Sequence, residues 1–162
     1  CPCGNYGSRI TPCRCTAQQI QRYRNRISGP MLDRIDIHVE MGEVGYNDIA
    51  GRSCGEPSSA IRARVNAARA IQTRRYAGMG ILFNAQLTNR MMNQYCVLTS
   101  DAEALMKKAF AALKLSARAY TRLLKVSRTI ADLAGSEQIK AEHIAEAIQY
   151  RSLESKYWGE IK

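Results

Sequence analysis

The chain has 162 residues, 46% of them hydrophobic, and its 24 Lys and Arg against 14 Asp and Glu give a formal charge of +10. That is apolar material for one ordinary core with at most a small appendage, and the charge selects an acidic partner: nucleic acid, nucleotide phosphate or an acidic protein face. No apolar run approaches the ~20 residues of a membrane span; no membrane partner and a cytoplasmic location are expected, and a start at Cys1 with neither Met nor a signal peptide reads as a fragment.

In chain order, the first fifteen residues carry Cys1-x-Cys3 and Cys13-x-Cys15 among Pro2, Gly4, Gly7 and Pro12. Such a turn-rich loop leaves the backbone free to bring two thiol pairs onto one structural Zn2+. C-x-C is less typical of zinc than C-x-x-C and no histidine lies nearby, so reduced thiols in a compact loop and, less readily, a disulfide stand beside zinc. Thr16 then caps a short helix to about Asn25, with Ile20, Tyr23 and Ile27 on one face and Arg22, Arg24 and Arg26 spread around the rest, where a solvated face is their plain reading.

Gly29-Pro30 closes that helix. Met31 to Arg34 make one tight turn, and Ile35, Ile37 and Val39 alternate as a half-buried strand, which pins Arg34 between turn and sheet. The stretch 41–57, with Gly42, Gly45, Gly51 and Gly55, reads as a linker.

Beyond it the chain is helical. Ile61, Val65, Ala68 and Ile71 form one stripe of a helix reaching about Tyr76, where Gly78 and Gly80 stop it. Asn84 or Thr88 caps a shorter helix to about Cys96. Thr99 or Ser100 caps the next, striped by Ala102, Leu105, Met106, Ala109 and Leu113, with Asp101 and Glu103 early and Lys107, Lys108 and Lys114 late, as the helix dipole favours. The longest amphipathic segment runs from Ser116 to Ala134, with Tyr120, Leu123, Leu124, Ser127, Ile130 and Ala131 inward and Arg118, Arg122 and Lys125 opposite. A last helix begins near Lys140, where Ile139 and Ile144 staple its start and a poor capping residue predicts fraying. Ala145, Ile148 and Leu153 continue its apolar side, and 156–162 is a tail. His38 and His143 read as ordinary half-exposed residues, since no carboxylate or cysteine is spaced to make a triad with either.

The run ISGPMLDRIDIHV, together with CPCGNYG, CRC, QQIQRYRNRISGP, LSARAYTRLLKVSRTIADL and HIAEAIQYR, resembles in the same order the C-terminal half of AAA+ ATPases of the magnesium-chelatase-like, ComM/YifB branch. The resemblance covers nearly the whole chain. It implies a mainly α fold, with a helical-bundle AAA+ lid over 56–155 preceded, over 1–55, by a remnant of the α/β nucleotide domain with one short strand. It also implies ATP and Mg2+ as cofactors, a hexameric ring of identical subunits, and DNA as partner in a helicase or branch-migration role in natural transformation. Arg34 takes the position of the arginine finger that reaches the neighbouring subunit's nucleotide; a structural ion pair with Asp33 or Asp36 is its alternative. Arg118 takes the lid position called sensor 2, with Arg122 one turn on as second choice, the alternative for both being a solvated basic face. A chelatase-type subunit that remodels a protein for metal insertion is the runner-up function, and a stand-alone basic nucleic-acid-binding domain the third. The chain contains no G-x-x-x-x-G-K-[ST] loop and no apolar strand ending in Asp-Glu, so ATP hydrolysis by these 162 residues alone is not expected.

Overall fold

Thr16, Thr88, Thr99 and Ser116 each accept a backbone N–H from the first turn that follows, so the helix starts expected from the sequence form as read. The computed structural model describes residues 1–51 and 55–151. Among them the helices are α1 (Ala17–Arg24), α2 (Gly29–Leu32), α3 (Tyr46–Ala50), α4 (Ser58–Arg75), α5 (Asn89–Tyr95), α6 (Ser100–Ala112), α7 (Ala117–Leu133) and α8 (Ala141–Gln149), with a 3-10 turn over Asn84–Gln86. The architecture is mainly helical, as the sequence indicates. Leu153 and the tail 156–162 lie outside the described residues.

The α7 helix organises the bundle, packing against α4, α8 and the 3-10 turn, while α6 packs on α8. Its stripe buries Leu123, Leu124, Ser127 and Ala131, joined in the core by Met92, Ala102, Met106, Ile139 and Ile144. Gly135 ends α7 at φ 66, so that its own N–H reaches Asp132 O and the Ser136 N–H reaches Ala131 O at 2.8 Å. This left-handed stop costs glycine little. The chain then returns beside the start of α6 through a single parallel bridge, Leu98 to Ile139.

Four expectations need correction. The strand at 35–39 does not form: Ile35, Ile37 and Val39 are exposed, and the only β pairing among the described residues is the bridge just named. A strand needs a ladder, and this segment instead lies on the helical domain, where the His38 N–H donates to Tyr150 O at 2.8 Å. The 41–57 linker contains the short α3, in the interval between Gly45 and Gly51 that lacks Gly and Pro. In α4 only Ala68 and Gln72 are buried, while Ile61 and Val65 remain exposed, because the helix reaches α7 with its C-terminal half alone.

The fourth correction is at α8. His143 is 3% exposed rather than half-exposed, and its Nδ1 accepts the Lys140 N–H at 3.0 Å. The cap comes from inside the helix, so a Ser or Thr at 140 is not required. Burial holds the His143 pKa below the ordinary imidazole value, against the opposing pull of Glu142. A neutral ring is needed twice over, since protonated Nδ1 cannot accept the cap. The unfolded chain therefore takes up the proton first as pH falls below ~6.5, and stability is lost from there down to the folded-state pKa. The thermal midpoint should drop between pH 7 and pH 5.5, and His143→Gln should flatten that dependence; equal slopes in both proteins would contradict the assignment.

Candidate functional site

Three groups of polar side chains stand out from the bundle: a cleft along α7, the turn that carries Arg34, and the N-terminal thiols.

The cleft has a volume of about 900 Å³ and is bounded by α7, the 36–37 segment, Ala85, Asn89, Glu146 of α8 and Tyr150 just after it. Val126, Ile130, Leu133 and Ile37 give it apolar lining, and Arg118, Arg122 and Lys125 line it as cations. A cavity of this size, with apolar lining and three cations beside Asp36 and Glu146, can take a small ligand that carries an apolar part and negative charge. The three cations are not equivalent. Lys125 Nζ donates to Ala85 O at 2.9 Å, and Arg122, its side chain 30% exposed, is ion-paired to Asp36. Arg118 is exposed and makes no hydrogen bond or ion pair with the described residues. Among the described residues it is the lining cation with no hydrogen bond or ion pair of its own.

Arg34 follows α2. Its Nη1 donates to Pro30 O at 3.2 Å, one turn back, and the side chain is otherwise exposed. The carboxylates that would have made it structural are occupied elsewhere. Asp33 accepts from Ser116 Oγ at 2.8 Å and faces Arg151 Nη2 at 3.5 Å, and Asp36 is held by Arg122. Arg151, 3% exposed, also donates to Ile35 O at 3.3 Å. The two acidic neighbours of Arg34 thus fasten its turn to the helical domain and leave its guanidinium outside. Arg34 does not line the α7 cleft.

The Sγ atoms of Cys1, Cys3, Cys13 and Cys15 all lie within 4.8 Å of one another. Gly4 (φ 82) and Gly7 (φ 85) provide the reversals that fold the loop over. Backbone hydrogen bonding at Asn5, then the Cys15 side chain, lowers the Cys3 thiol to about 7. Cys13 has a backbone hydrogen bond at Cys15 that favours its thiolate, but desolvation and the neighbouring thiols outweigh it and push its pKa up. Cys96 is separate: it sits in the core, and burial raises it to about 11.

The sequence reading missed the buried polar centre of the helical domain. Asp132, on α7, accepts from Arg75 Nη1 at 2.9 Å and Nη2 at 2.5 Å, Arg128 Nε at 3.1 Å, Asn84 Nδ2 at 2.8 Å and Gln72 Nε2 at 3.2 Å. Arg128, 1% exposed, also donates to the carbonyls of Ser136 and Glu137. Burial alone would raise the Asp132 pKa, but Arg75, Asn84 and Arg128 outweigh it and hold the carboxyl below the ordinary range. The clue was present: Arg128 and Asp132, four apart, fall inside the α7 apolar stripe beside Leu124 and Ala131, where a lone charge is not tolerated.

Residues 55–151 match the family described as magnesium chelatase, subunit ChlI C-terminal, and residues 1–49 match the family described as magnesium chelatase, subunit ChlI. The chain is 42% identical over 153 residues to the competence protein ComM of Haemophilus influenzae. It is 40% identical over 154 residues to the uncharacterized protein YifB of Salmonella typhimurium and 38% identical over 155 residues to YifB of Escherichia coli. Each alignment covers 94% of the chain but 29% of the relative. No described helix is long and apolar enough to cross a membrane.

Proposed function

Because the chain belongs to the magnesium chelatase subunit ChlI family, we propose that it supplies the arginine finger and the sensor 2 lid of a ring-shaped, ATP- and Mg2+-dependent motor, divided near residue 55. The observation that carries this reading is the state of Arg34: an exposed guanidinium on a turn whose Asp33 and Asp36 are both bound to the helical domain. Such a group is held in place yet is free to meet a phosphate. Its planar fork suits the oxygens of a γ-phosphoryl group, where it neutralises charge that develops in the transition state. Because Arg34 does not line the α7 cleft of its own chain, it acts on the nucleotide of a neighbour in a ring of identical subunits, a hexamer.

Arg118 performs the complementary task within its own subunit. It lines the cleft, unpaired among the described residues, and closes the lid by contacting nucleotide phosphate, with Arg122 holding the Arg34 turn against the same helix through Asp36 rather than binding nucleotide itself. The phosphate loop and the Mg2+-binding carboxylate come from chain outside these 162 residues. Arg118→Ala in the full-length protein should weaken ATP binding by roughly 10-fold or more, the worth of one charge-assisted hydrogen bond, and slow turnover as well. Fluorescent-nucleotide titration checks this; unchanged affinity would return Arg118 to a solvated basic face.

DNA is the proposed substrate, with branch migration in transformation as the role, on two supports: the similarity to a protein named for competence and the +10 charge. A second reading, a chelatase-type subunit that remodels a protein for metal insertion, is favoured by the descriptions of the matching families. ATPase rate with and without branched DNA decides between them: stimulation supports the DNA motor, and indifference to DNA supports the chelatase type.

A further inference from the structure

We propose that Cys1, Cys3, Cys13 and Cys15 hold one structural Zn2+ and that this ion clamps the base of the segment carrying Arg34. The geometry is the argument. Four thiolates at ~2.3 Å from a tetrahedral ion lie about 3.8 Å apart along every edge. Here the separations are 3.4 Å for Cys1 to Cys3, 3.6 Å for Cys1 to Cys13 and 3.6 Å for Cys3 to Cys13, and Cys15 completes a set confined within 4.8 Å. No pair approaches the ~2.05 Å of a disulfide. A multi-iron cluster spreads its thiolates around a larger core, so a set this tight encloses a single ion.

The surroundings suit a metal thiolate. The Tyr6 N–H donates to Cys1 Sγ at 3.2 Å, an outer bond that supports a ligand's charge. Binding releases the thiol protons and leaves four thiolates on one Zn2+, a net charge of about −2, in a segment that also carries Arg9, Arg14 and Arg24.

The loop is also joined to both sides of the Arg34 segment. On the upstream side Cys15 immediately precedes Thr16, the N-cap of α1, and the Arg24 guanidinium lies over the Tyr6 ring at 4.9 Å from its centroid. On the downstream side the Arg9 N–H donates to Glu43 Oε2 at 3.1 Å. A loop of fifteen residues with no regular secondary structure has little apolar burial to hold such a position, and a metal supplies the missing stability. That the clamped segment bears a finger rests on the function proposed above; the metal site itself does not.

The test is metal analysis of the full chain purified without chelator, joined to thiol titration. About one zinc per chain is expected, with four thiols becoming reactive when a chelator removes it. Cys3→Ser and Cys13→Ser should each lose most of the metal while circular dichroism shows the helices retained. Cobalt substitution should give thiolate-to-metal charge-transfer absorption, reduced by about a quarter in any Cys→Ser variant that still binds, and amide exchange across 16–34 should quicken when the ion is removed. Zinc near zero with four freely titrating thiols, a disulfide among them, or iron in its place would each overturn the assignment. Unchanged exchange across 16–34 on zinc removal would overturn the clamp. None of these readouts depends on ATP turnover, so failure of the metal site and failure of the finger are told apart.

Discussion

Arg34→Ala in the full-length protein should lower ATP turnover by about 10³-fold or more, the effect typical of an arginine finger, while ATP affinity within each subunit stays within about twofold. The reason is where the side chain does and does not bond. Among the described residues its one hydrogen bond is to Pro30 O, so removing it unpairs no buried charge there and should leave the fold intact. The carboxylates on either side keep the turn docked through Ser116, Arg122 and Arg151. Arg34→Lys should recover little, because a point charge does not reproduce the planar, two-pronged donor. A modest loss of turnover accompanied by a fall in thermal stability would mark Arg34 as structural.

The largest effect on stability should come from Asp132. Replacing it with Ala leaves Arg75 and the fully buried Arg128 without their shared carboxylate and deprives Asn84 and Gln72 of an acceptor. Breaking a buried pair from one side costs about 3–5 kcal/mol, and for a domain of this size that lowers the melting temperature by about 15 °C or more. Asp132→Asn keeps the shape but not the charge and should fall between. The exposed pair Lys107 to Glu103, at 2.8 Å, is the contrast: Glu103→Ala should leave the transition in place. Asp132 also sets the acid limit. Its folded-state pKa lies below the unfolded value, so its contribution is complete above ~4 and is lost as pH falls from there through the folded value. A denaturant midpoint for Asp132→Ala equal to that of the parent would refute this role.

The helices were the legible part of the fold, for a local reason. Caps at Thr16, Thr88, Thr99 and Ser116 and the stripe on α7 are decided by residues within one or two turns, and all of them form. Ile35 to Val39 misled because alternation reports only that a strand is possible; pairing depends on a partner, and this segment found Tyr150 and Arg151 instead. Ile61 and Val65 misled similarly, since a stripe gives the face of a helix but not how far its neighbour extends.

At the candidate site, the residue types were readable and their partners were not. The thiol set followed from spacing and turn residues, and its convergence is visible only in three dimensions. The resemblance singled out Arg34, Arg118 and Arg122 together, but what distinguishes Arg122 is an ion pair to Asp36, eighty-six positions away in sequence. No local pattern could disclose it. The Arg75, Arg128 and Asp132 centre joins α4 to α7 across 57 positions, and only its Arg128 to Asp132 half is written at helical spacing.

Action of Arg34 across a subunit boundary is tested most directly by a mixing experiment on the full-length protein. Arg34→Ala subunits are combined with subunits that cannot bind Mg2+ but retain Arg34, under conditions where mixed hexamers are shown to form. Each parent ring should be inactive. In mixed rings some sites regain a competent pocket beside an intact neighbouring arginine, so ATPase activity should return in part, following the statistics of subunit arrangement. Mixed rings that form and remain as inactive as their parents would contradict the account.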